Sequence, residues 1–78
     1  MKVVIRVFLK EGVLDPQGKA IEKALYSLNF TKVSDVKVSK EISFKLDETD
    51  KNKALEQAKA MCEELLANTV IENYEILI

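Results

Sequence analysis

Asp47, Glu48 and Asp50 form the tightest cluster of side chains in this sequence that could act on a ligand. Grouped acids can offer oxygen ligands to a hard cation, but the spacing of a calcium loop and its required glycine are missing. An apolar-periodic run follows them, and acids at a helix N-terminus complement its dipole with no metal at all. Cys62 is the only cysteine, and there is no histidine to serve as its base or to join it around zinc. It lies four residues after Ala58 and three before Leu65, on a helical face that should be packed, so an inert buried thiol is the better reading. Lys40 could meet an anionic partner, or simply snorkel at a sheet edge. Arg6 and Phe8 share one strand parity, as in single-stranded nucleic-acid platforms, but the pattern occurs once and lacks the Gly/aromatic motif of such domains. There is no glycine-rich phosphate loop and no Ser/His/Asp set. Catalysis would fall to Lys, Asp, Glu, Tyr or Cys alone, and the sequence argues against an enzyme in its own right.

The bulk properties agree with that poverty. Seventy-eight residues make one domain, spanning 1–78. A compact chain of this length should have a radius of gyration of roughly 11–12 Å and a thin core. Small scaffolds add staples or a second subunit, and one cysteine leaves oligomerisation as the available device. The net charge is −1 with 32% charged residues. Of the 12 basic residues only Arg6 is an arginine, a poor kit for bidentate contacts to phosphate or guanine. No nucleic-acid partner is expected. No run approaches the ~20 apolar residues of a membrane span, and Arg6 breaks the first apolar stretch with no cleavage site behind it. A cytoplasmic protein with no membrane partner is expected.

The elements that must position these residues follow from periodicity. Val36, Val38, Ile42, Phe44 and Leu46 share one parity, and Lys37, Ser39, Glu41, Ser43 and Lys45 the other: a strand with one dry face, interrupted only by Lys40. At ~3.4 Å per residue it would reach about 35 Å, as long as the whole globule, so it either bends near Lys40 or overhangs toward another chain. A first strand over Lys2–Lys10 sets Val3, Ile5, Val7 and Leu9 against Val4, Arg6 and Phe8, and those two apolar residues suggest that the second face is also covered. Asp15 then Pro16 is a helix-start signal. The helix runs over Pro16–Asn29, with Ala20, Ile21, Ala24, Leu25 and Leu28 on one side. Gly18 in its first turn costs ~1 kcal/mol against Ala, which suggests another backbone close by. Asn29 suits the left-handed position after a helix. A bulge or turn is expected near Ser34-Asp35. A second helix over Asp50–Ala67 carries Leu55, Ala58, Met61, Cys62, Leu65 and Leu66. Val70–Ile78 is a last strand. The fold class is α+β: a two-layer sandwich in β-α-β-α-β order, an antiparallel sheet of three or four strands with two helices on one face, a relative of the ferredoxin-like fold.

Cap chemistry explains Asp15 and Pro16 but not Gln17 and Gly18. The run Lys10-Glu11-Gly12-Val13-Leu14-Asp15-Pro16-Gln17-Gly18-Lys19-Ala20 resembles the small PurS subunits of phosphoribosylformylglycinamidine synthase. So do Val33–Val38, Met61–Asn68 and Val70–Tyr74. Ser39-Lys40 stands where the family often has Gly-Lys, and Thr69 where it often has Pro. The resemblance implies a subunit of a purine-biosynthetic amidotransferase that makes formylglycinamidine ribonucleotide from formylglycinamide ribonucleotide, ATP and glutamine. Such subunits dimerise, as a dimer or a dimer of dimers, and hold a glutaminase subunit and a synthetase subunit together, with a part in ammonia transfer. They carry no catalytic residues and bind no cofactor; ATP and glutamine are used by the partners. The expected contact residues are Val4 and Phe8 on the first strand, Asp15, Gln17, Gly18 and Lys19 in the loop and helix start, and Val38, Lys40, Ile42 and Phe44 on the long strand. The alternative is a stand-alone ligand-sensing or nucleic-acid-binding domain of similar fold.

Overall fold

The structure, a computed structural model, describes all 78 residues. Three strands, β1 (Lys2–Leu9), β2 (Lys40–Lys45) and β3 (Glu72–Leu77), form an antiparallel sheet in the order β2-β1-β3. Two helices, α1 (Pro16–Ser27) and α2 (Lys51–Met61), occupy the connections. The α+β class, three antiparallel strands and β-α-β-α-β order are those read from the sequence.

The register sorts the side chains as the alternation requires. Ile5 lies opposite Ile42 and Ile76, and Val3 opposite Phe44, so the odd residues of β1 share a face with the even residues of β2 and β3. Val3, Ile5 and Val7 are wholly buried there against Ala58 and Cys62 of the α2 segment, with Ile42, Phe44, Leu46, Tyr74 and Ile76 packed around them. Burying β-branched residues on the middle strand is the main stabilising term, ~1.5–3 kcal/mol for each side chain.

The chain is not compact. Its radius of gyration is 16.0 Å and it measures 49 × 23 × 15 Å, well beyond the roughly 11–12 Å expected of a globule this long. Only α2 lies over the chain's own sheet; α1 does not pack on it. The expectation of two helices on one face is therefore half met within a single chain. α1 instead runs beside residues 33–38, and together they make an arm that projects past the end of the sheet.

The long strand overhangs. Its ladder with β1 spans only Lys40–Lys45 and ends at Val7, while β1 itself runs on to Leu9 paired with β3 alone. Residues 36–39 keep the phase: Val36 and Val38 are half-buried, Lys37 and Ser39 exposed. The expected break before them is at Asp35, whose φ is +55°. Asn29, at φ +72°, follows α1 in the left-handed conformation, as expected.

The second helix departs from the sequence reading at its end. α2 stops at Met61 and a π-helical turn over Cys62–Leu66 replaces the last α turn, with the Ala67 N–H donating to the Cys62 carbonyl at 3.0 Å. The i→i+5 ladder inserts an extra residue per turn and shifts the phase. Cys62 stays buried, while Leu65, expected on the stripe, is 82% exposed. No helix is long and apolar enough to cross a membrane.

Candidate functional site: the arm and its junction with the sheet

The arm is built around Asp15. Its carboxylate caps α1, accepting from the Gly18 N–H at 2.9 Å through Oδ1. Through Oδ2 it also accepts from the Val38 N–H at 2.8 Å. One buried side chain thus starts the helix and takes over the strand amide that β1 would otherwise have bonded. The Val38 and Gly18 amides, with help from Lys37, hold the Asp15 carboxyl below its ordinary value of 3.8, against the opposing effect of burial.

Two further residues extend the seam. Glu22 Oε1 accepts from the Val36 N–H at 3.2 Å, and the Tyr26 hydroxyl donates to the Val33 carbonyl at 2.7 Å. Gly18 lies one helical turn before Glu22, and a Cβ there would collide with the Val36 carbonyl oxygen and crowd the Asp15 carboxylate. That is the close backbone approach which glycine in a first helical turn implied. Glu22 and Tyr26 were missed, because each alone looks like a solvent-facing helical residue. Their spacing held the signal: 15, 18, 22 and 26 fall on one helical stripe.

The other side of α1 has no partner in this chain. Ile21 and Leu28 are 45% and 65% exposed, and Ala24 between them is exposed. Ile21, Ala24 and Leu28 fall three and four apart, so they make one apolar stripe. Where the arm leaves the sheet there is a cavity of about 360 Å³, and it gathers Phe8, Asp15, Gln17, Val38 and Lys40 from the expected contact set. Leu14, 72% exposed, lies on its wall.

The remaining expected contact residues lie elsewhere. Val4 is on the opposite face of the sheet, beside the exposed row in which Arg6 bonds Glu41 at 3.2 Å and Glu75 at 3.5 Å. Phe8 reaches that face too and is 39% exposed. Gly18 is buried in the seam, and Lys19 pairs with Glu22 at 3.9 Å. Ile42 and Phe44 point to the core but stay half-buried, because α2 covers the β3 side of the sheet.

The residues with chemical potential are used structurally. Asp50 is the α2 N-cap, accepting from Asn52 N at 2.9 Å and Lys53 N at 3.3 Å, while Glu48 accepts from Thr49 N and from Gln57 Nε2. Burial, with the charge of Glu63, pushes the Cys62 thiol up from 9.0 and away from the reactive thiolate. The Tyr74 hydroxyl donates to Glu63 Oε2 at 2.8 Å, which raises its pKa above 10.0. No group of three His, Cys, Asp or Glu side chains is placed to hold a metal ion.

A sheet with one covered face, an arm with an outward apolar stripe and a set of polar side chains spent on capping define a small α+β domain that leaves apolar surface uncovered. The family model for PurS, phosphoribosylformylglycinamidine (FGAM) synthase, matches residues 2–78, and the chain belongs to that family. It is 47% identical over 73 residues to the PurS subunit of phosphoribosylformylglycinamidine synthase from Bacillus subtilis, covering 94% of this chain and 86% of the relative. Its fold matches the crystal structure of Methanocaldococcus jannaschii PurS, one of the subunits of formylglycinamide ribonucleotide amidotransferase in the purine biosynthetic pathway. That match has a TM-score of 0.88 at 41% identity and covers 97% of this chain and 92% of that one. A chain of the PurLQS structure from Thermotoga maritima matches at TM-score 0.89 and 37% identity, covering 97% and 93%.

Proposed function

We propose that this chain is the non-catalytic assembly subunit of phosphoribosylformylglycinamidine synthase, acting as a dimer or dimer of dimers that holds a glutaminase and a synthetase subunit together. The observation that carries the reading is the arm. It is fixed to its own strand by polar bonds, yet turns its apolar stripe outward. A family member from Thermotoga maritima has been solved as part of PurLQS, which supports partners of this kind.

The reaction of the assembly converts formylglycinamide ribonucleotide, ATP and glutamine to formylglycinamidine ribonucleotide, ADP, phosphate and glutamate. ATP and glutamine bind the partner subunits, and this chain binds no cofactor. Its contribution is proximity. Holding the site that releases ammonia against the site that consumes it raises the effective concentration of a small, diffusible nucleophile and keeps it from bulk water. The cavity where Phe8, Gln17 and Lys40 meet is the proposed contact for a larger subunit. On this reading the chain works in the cytoplasm.

Reconstitution tests this. With purified glutaminase and synthetase, glutamine-dependent synthesis should fall by at least tenfold when this chain is left out, while synthesis from added ammonium salt should persist. Undiminished glutamine-dependent turnover without the chain, or turnover by the chain alone, would contradict the proposal.

A further inference from the structure

β3 lies at an edge of the sheet, and β1 is its only ladder partner. The Lys10 N–H donates to the Ile71 carbonyl at 2.8 Å, so the backbone groups of Asn73, Glu75 and Leu77, in phase with Ile71, point at β1. Alternate residues of a strand offer their N–H and C=O groups to opposite edges. Those of Tyr74 and Ile76 therefore point outward, together with the Glu72 carbonyl. The Glu72 N–H is already spent on the Asn68 carbonyl at 2.8 Å. The open row runs from Glu72 to Ile76, about 14 Å. Natural edges are blunted by lysine, proline or a bulge. β3 carries no lysine and no proline, and its register with β1 is unbroken.

The charge beside this edge has one sign. From Ala60 to Ile78 the chain holds Glu63, Glu64, Glu72 and Glu75 and no Lys or Arg. The Tyr74 hydroxyl holds Glu63, and with it the π turn, beside β3. Glu75 meets one cation, Arg6, which it shares with Glu41. Exposed Leu65, Val70 and Leu77 are interleaved with these acids along the chain. A strand added here would set one row of side chains beside exposed Asn73, Glu75 and Leu77. Its other row would lie beside Tyr74 and Ile76, which stay half-buried on the α2 side. Lys or Arg opposite Glu75, and apolar residues beside Tyr74 and Ile76, complete both rows. A second copy is the poorer occupant. β3 against β3 gathers the glutamates of both chains on one seam with no cation on either strand, and β3 against β2 is a heterologous contact that propagates from chain to chain.

We propose that the outer edge of β3 takes up an extended segment of a larger subunit, one in which Lys or Arg alternates with apolar residues, paired as a fourth strand. This rests on the reading of the chain as an assembly subunit and extends its contact: Glu72, where the edge begins, also lines the cavity assigned to a larger subunit. Main-chain bonds hold the segment, and the glutamates steer and select a basic one.

Residue-resolved hydrogen exchange on the full chain, alone and with the purified synthetase or glutaminase subunit, tests the edge. In the free chain the Tyr74 and Ile76 amides should exchange at least about tenfold faster than those of Asn73 and Glu75, which bond β1. One of the two subunits should slow Tyr74 and Ile76 by at least about tenfold. Calorimetric titration of that subunit at low salt should show Glu75→Lys binding about tenfold more weakly, with the gap narrowing at high salt. The variant loses only an exposed contact with Arg6, so its fold stays intact. Tyr74 and Ile76 amides already slow in the free chain, or equally fast with either subunit, would overturn the edge proposal. So would undiminished binding by Glu75→Lys. Glutamine-dependent synthesis that still needs the chain would then leave the assembly reading standing, and synthesis indifferent to the chain would remove both.

Discussion

The sheet lobe and the arm solve the same problem in opposite ways. In the lobe, Val3, Ile5 and Val7 disappear beneath Ala58 and Cys62, and the polar groups stay at the rim. In the arm the polar groups do the joining, Asp15 to Val38, Glu22 to Val36 and Tyr26 to Val33, and the apolar residues Ile21 and Leu28 face outward. The lobe dries its own centre, though Ile42 and Phe44 stay half-buried. The arm cannot dry itself, since hydrogen bonds contribute only ~1 kcal/mol net apiece and leave its stripe in water. The contrast shows that an amphipathic helix announces that one side must be covered, while the identity of the covering chain lies in the geometry of the join.

Substitutions in the two regions should separate them. Ile5→Ala, at the centre of the lobe, should have the largest effect, costing about 2–5 kcal/mol and unfolding the whole chain in a urea titration. Gly18→Val should come next, at about 1–3 kcal/mol, because its side chain meets the Val36 backbone, which cannot rotate aside. Hydrogen exchange should then rise in α1 and residues 33–38 while β1 and β3 stay protected. Equal loss of protection everywhere would mean that arm and lobe are one unit.

Asp15→Ala should loosen the arm by a smaller amount and in the same places. The pH dependence has a fixed sign. Asp15 is held below 3.8 in the folded chain, so its contribution is complete above that pH and is lost as pH falls through 3.8 toward the lower folded value. Arm protection should therefore fade in acid before the lobe melts, and Asp15→Asn should abolish the pH dependence. Arg6→Ala should matter least to stability. Its bonds to Glu41 and Glu75 are exposed, and a loss of at most about 1 kcal/mol is expected in the same titration.

Much of this was readable from local rules. The Asp15-Pro16 start, the left-handed Asn29 and the break at Asp35 each reflect one residue and its own backbone. Gly18 was informative because it is a poor helix former placed where a better one would fit, so its cause had to be a neighbour. The phase from Val36 to Leu46 was also legible, since alternation survives whether or not a strand is paired. The number of partners along that strand was not, because hydrogen-bond partners come from distant parts of the chain. Leu65 was misplaced for a different reason. The run Cys62–Leu66 is built of residues that suit an α-helix, and nothing in it marks the switch to a π turn. Glu22 and Tyr26 were misread because side chains that bond a neighbouring backbone have the same chemistry as those that bond water.

Light scattering of the purified chain over a micromolar concentration series tests most directly whether the arm is completed by another polypeptide. A mass of two chains, or an even multiple, should persist down to the lowest concentration, with the α1 stripe protected from hydrogen exchange. A single-chain mass throughout, with Ile21 and Leu28 on an exchanging helix, would contradict it.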